Sequence, residues 1–118
     1  MIRLSKILLI VFVGLQGLFY ALNNIVILGE LLVAALSFKG AYDMFRARAA
    51  SPETFDAAKT WGLMGCIMAL FVWFGLFMVV GGAYFQMWQT PLGGAAQAGA
   101  FQYAMISGVV LLFVNTKN

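Results

Sequence analysis

WGLMGCIMALFVWFGLFMVVGG, Trp61–Gly82, decides the fold. It holds no charged residue, and a helix of about 20 apolar residues is what crosses the roughly 30 Å hydrocarbon core of a bilayer. The rest of the chain has the same character: of 118 residues 64% are hydrophobic and 9% charged, with a mean hydropathy of +0.96. A soluble domain is about 45–50% apolar and about 25% charged. A chain this short buries too small a share of its surface to hide so much apolar material from water, whereas lipid accepts it.

Upstream of this stretch, Ser51-Pro52-Glu53 reads as N-cap, first helical position and first-turn acid, so the helix starts near Pro52, with Phe55 at the membrane surface before Trp61 enters. Three more apolar stretches flank it. The expected helices are 4–22, 25–45, 52–83 and 98–114, an all-α four-helix transmembrane bundle forming one membrane domain over 1–118. Gly93 to Gly99 reads as a flexible linker by composition. The first stretch begins with Arg3 and Lys6 like a signal peptide, but no small-x-small cleavage pattern stands near Phe19–Leu22, so a retained helix is expected. The link Asn23-Asn24 is at the bottom of the length range for antiparallel helices. A tight turn, a deleted loop and a loop missing from the sequence as it stands all fit.

Charge sets the orientation. Arg3, Lys6, Lys39, Arg46, Arg48, Lys59 and Lys117 all fall on one side of a four-span arrangement, and the opposite links, Asn23-Asn24 and Tyr84 to Gly99, carry no charge. Basic residues collect on the cytoplasmic side, which puts both termini in the cytoplasm of a multi-pass protein of the bacterial inner membrane. Tyr20, Tyr84, Trp88 and Tyr103 are expected near the outer interface, Tyr42 and Trp61 near the inner one, because their rings are apolar and their polar tips stay wet.

Several functions are excluded. The seven basic residues form no run and no helical stripe of the kind that binds nucleic acid. Without histidine there is no His-based metal or haem site and no His general base. Cys66 is alone and forms no intrachain disulfide; in its apolar surroundings it reads as an inert small hydrophobe. No nucleophile, base and orienting partner assemble, and no glycine loop has the phosphate-binding form. The sequence is therefore read as non-enzymatic, with no cofactor, no catalytic residue and no metal ligand.

Polar residues inside the spans carry what functional signal there is. Glu30 has no basic neighbour within one turn, and a charge in the bilayer is costly enough to mark a proton site, an ion site or a contact. The competing reading, a carboxyl bonded between helices or close to the outer surface, weighs more. Gln16 stands between Gly14 and Gly17, where close helix approach lets an amide bond across the interface. The helix-three glycines Gly62, Gly65, Gly75, Gly81 and Gly82, with Ser107 and Gly108 of helix four, read as packing. Lys39 and Asp43 are spaced for an ion pair, and Lys39 can also snorkel to the interface.

The segments Arg3-Leu-Ser-Lys-Ile-Leu-Leu, Ala21-Leu-Asn-Asn, Phe45-Arg-Ala-Arg, Trp73-Phe-Gly and above all Gly81-Gly-Ala-Tyr-Phe-Gln-Met-Trp-Gln resemble a bacterial family of predicted small integral membrane proteins with a domain of unknown function. The resemblance implies a four-helix inner-membrane protein with both termini inside and an acidic residue where Glu30 stands. Two departures accompany it: the family's sizeable outer loop after the Asn pair is missing, and Ala83 replaces a frequent acid. It implies no activity.

Two roles follow as expectations. The first is a non-catalytic accessory or structural subunit of a larger membrane protein complex, respiratory or otherwise energy-transducing, docking through the outer segment with Tyr84, Gln86, Trp88 and Gln89. The second is a small proton-coupled transporter, active as a homo-oligomer and dependent on Glu30.

Overall fold

The computed structural model describes residues 1–21, 27–84, 86 and 89–118. The described residues form an all-α, four-helix arrangement without strands. Helix α1 is Ile2–Ala21 and α2 is Ile27–Arg46. Helix α3 consists of three abutting segments, Pro52–Ala58, Thr60–Leu70 and Phe71–Tyr84, and α4 is Pro91–Val114. The bundle measures 51 × 23 × 19 Å. By length and composition α3, over Pro52–Val80, and α4 can each cross a membrane. Asn23-Asn24 and the question of the first outer loop lie outside the described residues.

Local chemistry sets the helix starts. Ser51 caps α3 by accepting the Thr54 amide at 3.3 Å, with Pro52 in the first turn. Thr90 repeats the device on α4: its hydroxyl accepts the Gly93 amide at 3.0 Å, and Pro91 follows. The Gly93–Gly99 stretch is therefore helix and not the linker its composition suggests, and α4 begins seven residues before the expected 98. The last part of α3, Phe71–Tyr84, is wound as a π-helix, a wider winding in which each amide reaches the fifth residue back.

The helices pack in a ring: α1 on α2, α2 on the Thr60–Leu70 segment of α3, α3 on α4, with α4 closing on α1 along a narrower line. Glycines make the close passages. A Cβ on Gly14 would stand 2.9 Å from Phe38 Cε1 and 3.1 Å from Ser37 Cβ. A Cβ on Gly40 would collide with the Gly62 backbone, and one on Gly65 with Ser37. In lipid no hydrophobic force drives helices together, so small residues that let backbones meet supply the attraction by van der Waals packing.

Apolar side chains fill the core and also cover the outside. Leu8, Phe12, Leu28, Ile67, Phe71, Phe74, Val109 and Leu112 face outward, while Lys6, Glu30, Ser37, Lys59 and Ser107 are buried. Water would not tolerate that outer surface, whose contiguous apolar area marks contact with lipid or protein.

Candidate functional site

Glu30 lies in the first turn of α2 and is fully buried. Helix α1 closes over it at Gly17. A Cβ there would stand 3.1 Å from Val33 Cγ1, 3.2 Å from the Glu30 carbonyl oxygen and 3.4 Å from the Tyr103 hydroxyl. Tyr103, from α4, donates that hydroxyl to the Val13 carbonyl, one turn before Gly17. Trp73, from the π-wound part of α3, stacks on the Tyr103 ring at a centroid distance of 3.8 Å and an interplanar angle of 10°. All four helices thus contribute to one enclosed cluster: Val13 and Gly17, Glu30 and Val33, Trp73, and Tyr103. Among the described residues Trp73 and Tyr103 are the largest fully buried side chains, and Glu30, Trp73 and Tyr103 all hold further interactions.

The cluster holds a buried carboxylic acid residue, a phenol that ties α4 to α1, and an indole stacked on that phenol. A carboxyl and a phenol can hold or pass a proton, and an indole can donate a hydrogen bond. Among the described residues no group of three or more His, Cys, Asp or Glu gathers in a way that could hold a metal ion. Gln16 is half-buried and points about 100° round the helix from Gly17. Tyr103, expected at the outer interface, is instead buried in the bundle. Its phenolic oxygen finds a backbone carbonyl on another helix, so it needs no water.

A second polar site lies at the other end of the bundle. Lys6 Nζ donates to the carbonyl oxygens of Thr116 at 2.6 Å and Lys117 at 3.4 Å, and to Asn118 Oδ1 at 2.9 Å. Lys59 Nζ donates to the same Thr116 carbonyl at 2.9 Å and pairs with Asp56 at 2.6 Å. Asn118 Nδ2 donates to Asp56 Oδ1 at 2.9 Å. Arg3 reaches the carbonyls of Arg48 and Ala50 at 3.1 and 2.7 Å and covers the Phe55 ring at 4.8 Å, so Phe55 is buried within the protein. Two ammonium groups thus meet the carbonyls just past the end of α4, where the helix dipole is negative. In the sequence Lys6 and Lys59 stand out for the topology their charges set. Their role here depends on partners 110 and 57 residues away in the chain, which no local pattern reveals.

In the expected docking segment, Gln86 adopts a left-handed backbone with φ of 51°. Gln89 closes the turn, its amide donating to the Gln86 carbonyl at 3.0 Å and its Nε2 to Gln86 Oε1 at 2.8 Å. Both are exposed. Trp88 and the side chains of Tyr84 and Tyr20 lie outside the described residues. Lys39 and Asp43 do pair, at 2.7 Å, and Tyr42 and Trp61 are exposed.

Residues 25–117 match the model of a family described as predicted small integral membrane protein, DUF2165. No curated protein and no solved structure matches the chain.

Proposed function

The chain belongs to the family of predicted small integral membrane proteins that matches it over residues 25–117, and from that premise we propose that it serves as a non-catalytic accessory or structural subunit of a larger complex in the bacterial inner membrane. The observation that carries the reading is how the polar groups are used. Lys6, Lys59 and Tyr103 are spent on bonds that tie helices to one another. The groove between α1 and α4, about 480 Å³ and lined by apolar side chains such as Leu9, Met105 and Val109, opens outward, where it suits apolar side chains of a partner helix. In this reading all four helices span, both termini are cytoplasmic, and the exposed turn at Gln86–Gln89 is the outer contact.

The test is purification from native membranes in mild detergent, with masses read by native mass spectrometry. Stoichiometric recovery with a larger complex is expected. Recovery only as a monomer or homo-oligomer would overturn it. A second reading, a small oligomeric proton-coupled carrier, is favoured by one observation: Glu30 is an acidic residue fully buried in the first turn of α2, with its backbone carbonyl beside Gly17 of α1. Glu30→Gln separates the two. Under the subunit reading it alters assembly at most; loss of proton-coupled flux in reconstituted vesicles would transfer the assignment to the carrier.

A further inference from the structure

The groove between α2 and α3, about 460 Å³, nearly equals the α1–α4 groove in size but differs at its mouth. On α2 the residues Leu32, Leu36, Lys39, Asp43 and Arg46 follow one another at alternating steps of four and three, so they form one stripe of the helix. Leu32 and Leu36 line the groove. Leu36 and Lys39 line the next, smaller pocket, about 180 Å³, together with Trp61. On α3 the facing stripe runs from Phe71 through Ile67 to Met64 along the groove and ends at Trp61. Both walls therefore pass from hydrocarbon to polar groups at the same level. Lys39 Nζ lies 5.8 Å from the Trp61 ring, and the Arg46 guanidinium lies 5.9 Å from the Tyr42 ring. The Lys39 side chain is 54% exposed, and Arg46, Tyr42 and Trp61 are exposed as well.

An apolar trough that runs into exposed cations and an indole has the complementarity of an anionic amphiphile. We propose that the α2–α3 groove holds one acyl chain of an anionic phospholipid, with the phosphate against Lys39 and Arg46 and the Trp61 indole at the headgroup level. Charge complementarity selects this occupant: Lys39 lines the pocket that continues the groove and Arg46 follows two turns on along the same stripe, and apolar side chains of a partner helix would add no counter-charge to either. Asp43 is a competitor. It holds the Lys39 ammonium at 2.7 Å, yet an ammonium has three donors, so a phosphate binds beside it against the repulsion of that carboxylate. The α1–α4 groove supplies the contrast. The ammonium over its Phe113 ring, Lys6 at 5.6 Å, is buried and already bonded to the chain beyond α4. The inference is independent of whether the protein is a subunit or a carrier.

The test uses the full chain in detergent, titrated with phosphatidylglycerol or phosphatidylcholine and followed by native mass spectrometry. One retained phosphatidylglycerol per chain is expected, with phosphatidylcholine held more weakly. Lys39→Ala and Arg46→Ala should each lower phosphatidylglycerol affinity about fivefold, the worth of one basic residue near an anionic lipid surface, and Lys39→Arg should restore most of it. Asp43→Asn should raise phosphatidylglycerol affinity in the titration, a gain that misfolding cannot produce. Met64→Trp, which fills this groove from an outward-facing position, should abolish retention, and Val109→Trp, which fills the other groove, should leave it unchanged. Equal retention of the two lipids, retention that survives Met64→Trp, equal loss on Val109→Trp, or a polypeptide adduct that excludes lipid would each overturn the proposal.

Discussion

Gly40 and Gly75 are the same residue type in neighbouring helices and carry opposite consequences. A Cβ on Gly40 would collide with the backbone of Gly62, whereas one on Gly75 would meet only Phe71 Cδ2, at 3.8 Å, an ordinary contact. Gly40→Ala should therefore push α2 from α3 and lower the midpoint of thermal unfolding in detergent micelles. Gly75→Ala should leave the midpoint unchanged or raise it, since Ala is favoured over Gly in a helix interior by up to ~1 kcal/mol of stability. Equal effects at the two sites would refute the close α2–α3 passage. The packing role of Gly14, Gly62 and Gly65 was legible from sequence, because glycines let helices approach closely in a bilayer; Gly75 and Gly108, which read the same way, meet only ordinary contacts. Which glycine is critical was not legible, because the register between two helices sets that. Tyr103 shows the same limit. Its ring reads as an interface anchor until Trp73 and the Val13 carbonyl, thirty and ninety residues away, take it into the core.

At the scale of the element, the start of α4 shows a local signal outweighed by composition. Thr90-Pro91 has the same cap-and-proline form as Ser51-Pro52, which the sequence reading used for α3; the glycines and small residues that follow obscured it. Glycine costs helix stability, but the cap satisfies one otherwise unpaired amide, and Ala95, Ala96, Ala98 and Ala100 favour the helix. Thr90→Ala should cost about 1 kcal/mol of local stability, the usual worth of such a cap, and speed amide hydrogen exchange over the first turn of α4, with Ser51→Ala doing the same to α3. Unchanged exchange after Thr90→Ala would mean that this stretch behaves as the linker its composition suggested. The π-wound end of α3 had no signature in the sequence: its apolar run fits any helical winding.

At the scale of the whole molecule, the charge pattern and the tertiary bonds converge on one end. Arg3, Lys6, Arg48, Lys59 and Lys117 belong to segments joined there by hydrogen bonds, while the Gln86–Gln89 turn carries no charge. The fold fixes this polarity within the bundle, and the membrane decides which end faces the cytoplasm. If basic residues stay inside, a cysteine placed at Glu53 should resist a membrane-impermeant maleimide in intact cells and react once the cells are opened. A cysteine at Gln89 should react in both, and the fully buried Cys66 should add little background. Reactivity at Glu53 alone would reverse the protein in the membrane; reactivity at both positions in intact cells would mean fewer than four spans. The expected orientation bears on lipid binding as well. It sets the Lys39–Arg46 mouth of the α2–α3 groove in the cytoplasmic leaflet, where anionic lipid produces the negative surface potential that draws basic residues. Orientation and lipid selectivity would then rest on the same cations, and moving the charges of α2 to the other end should disturb both together.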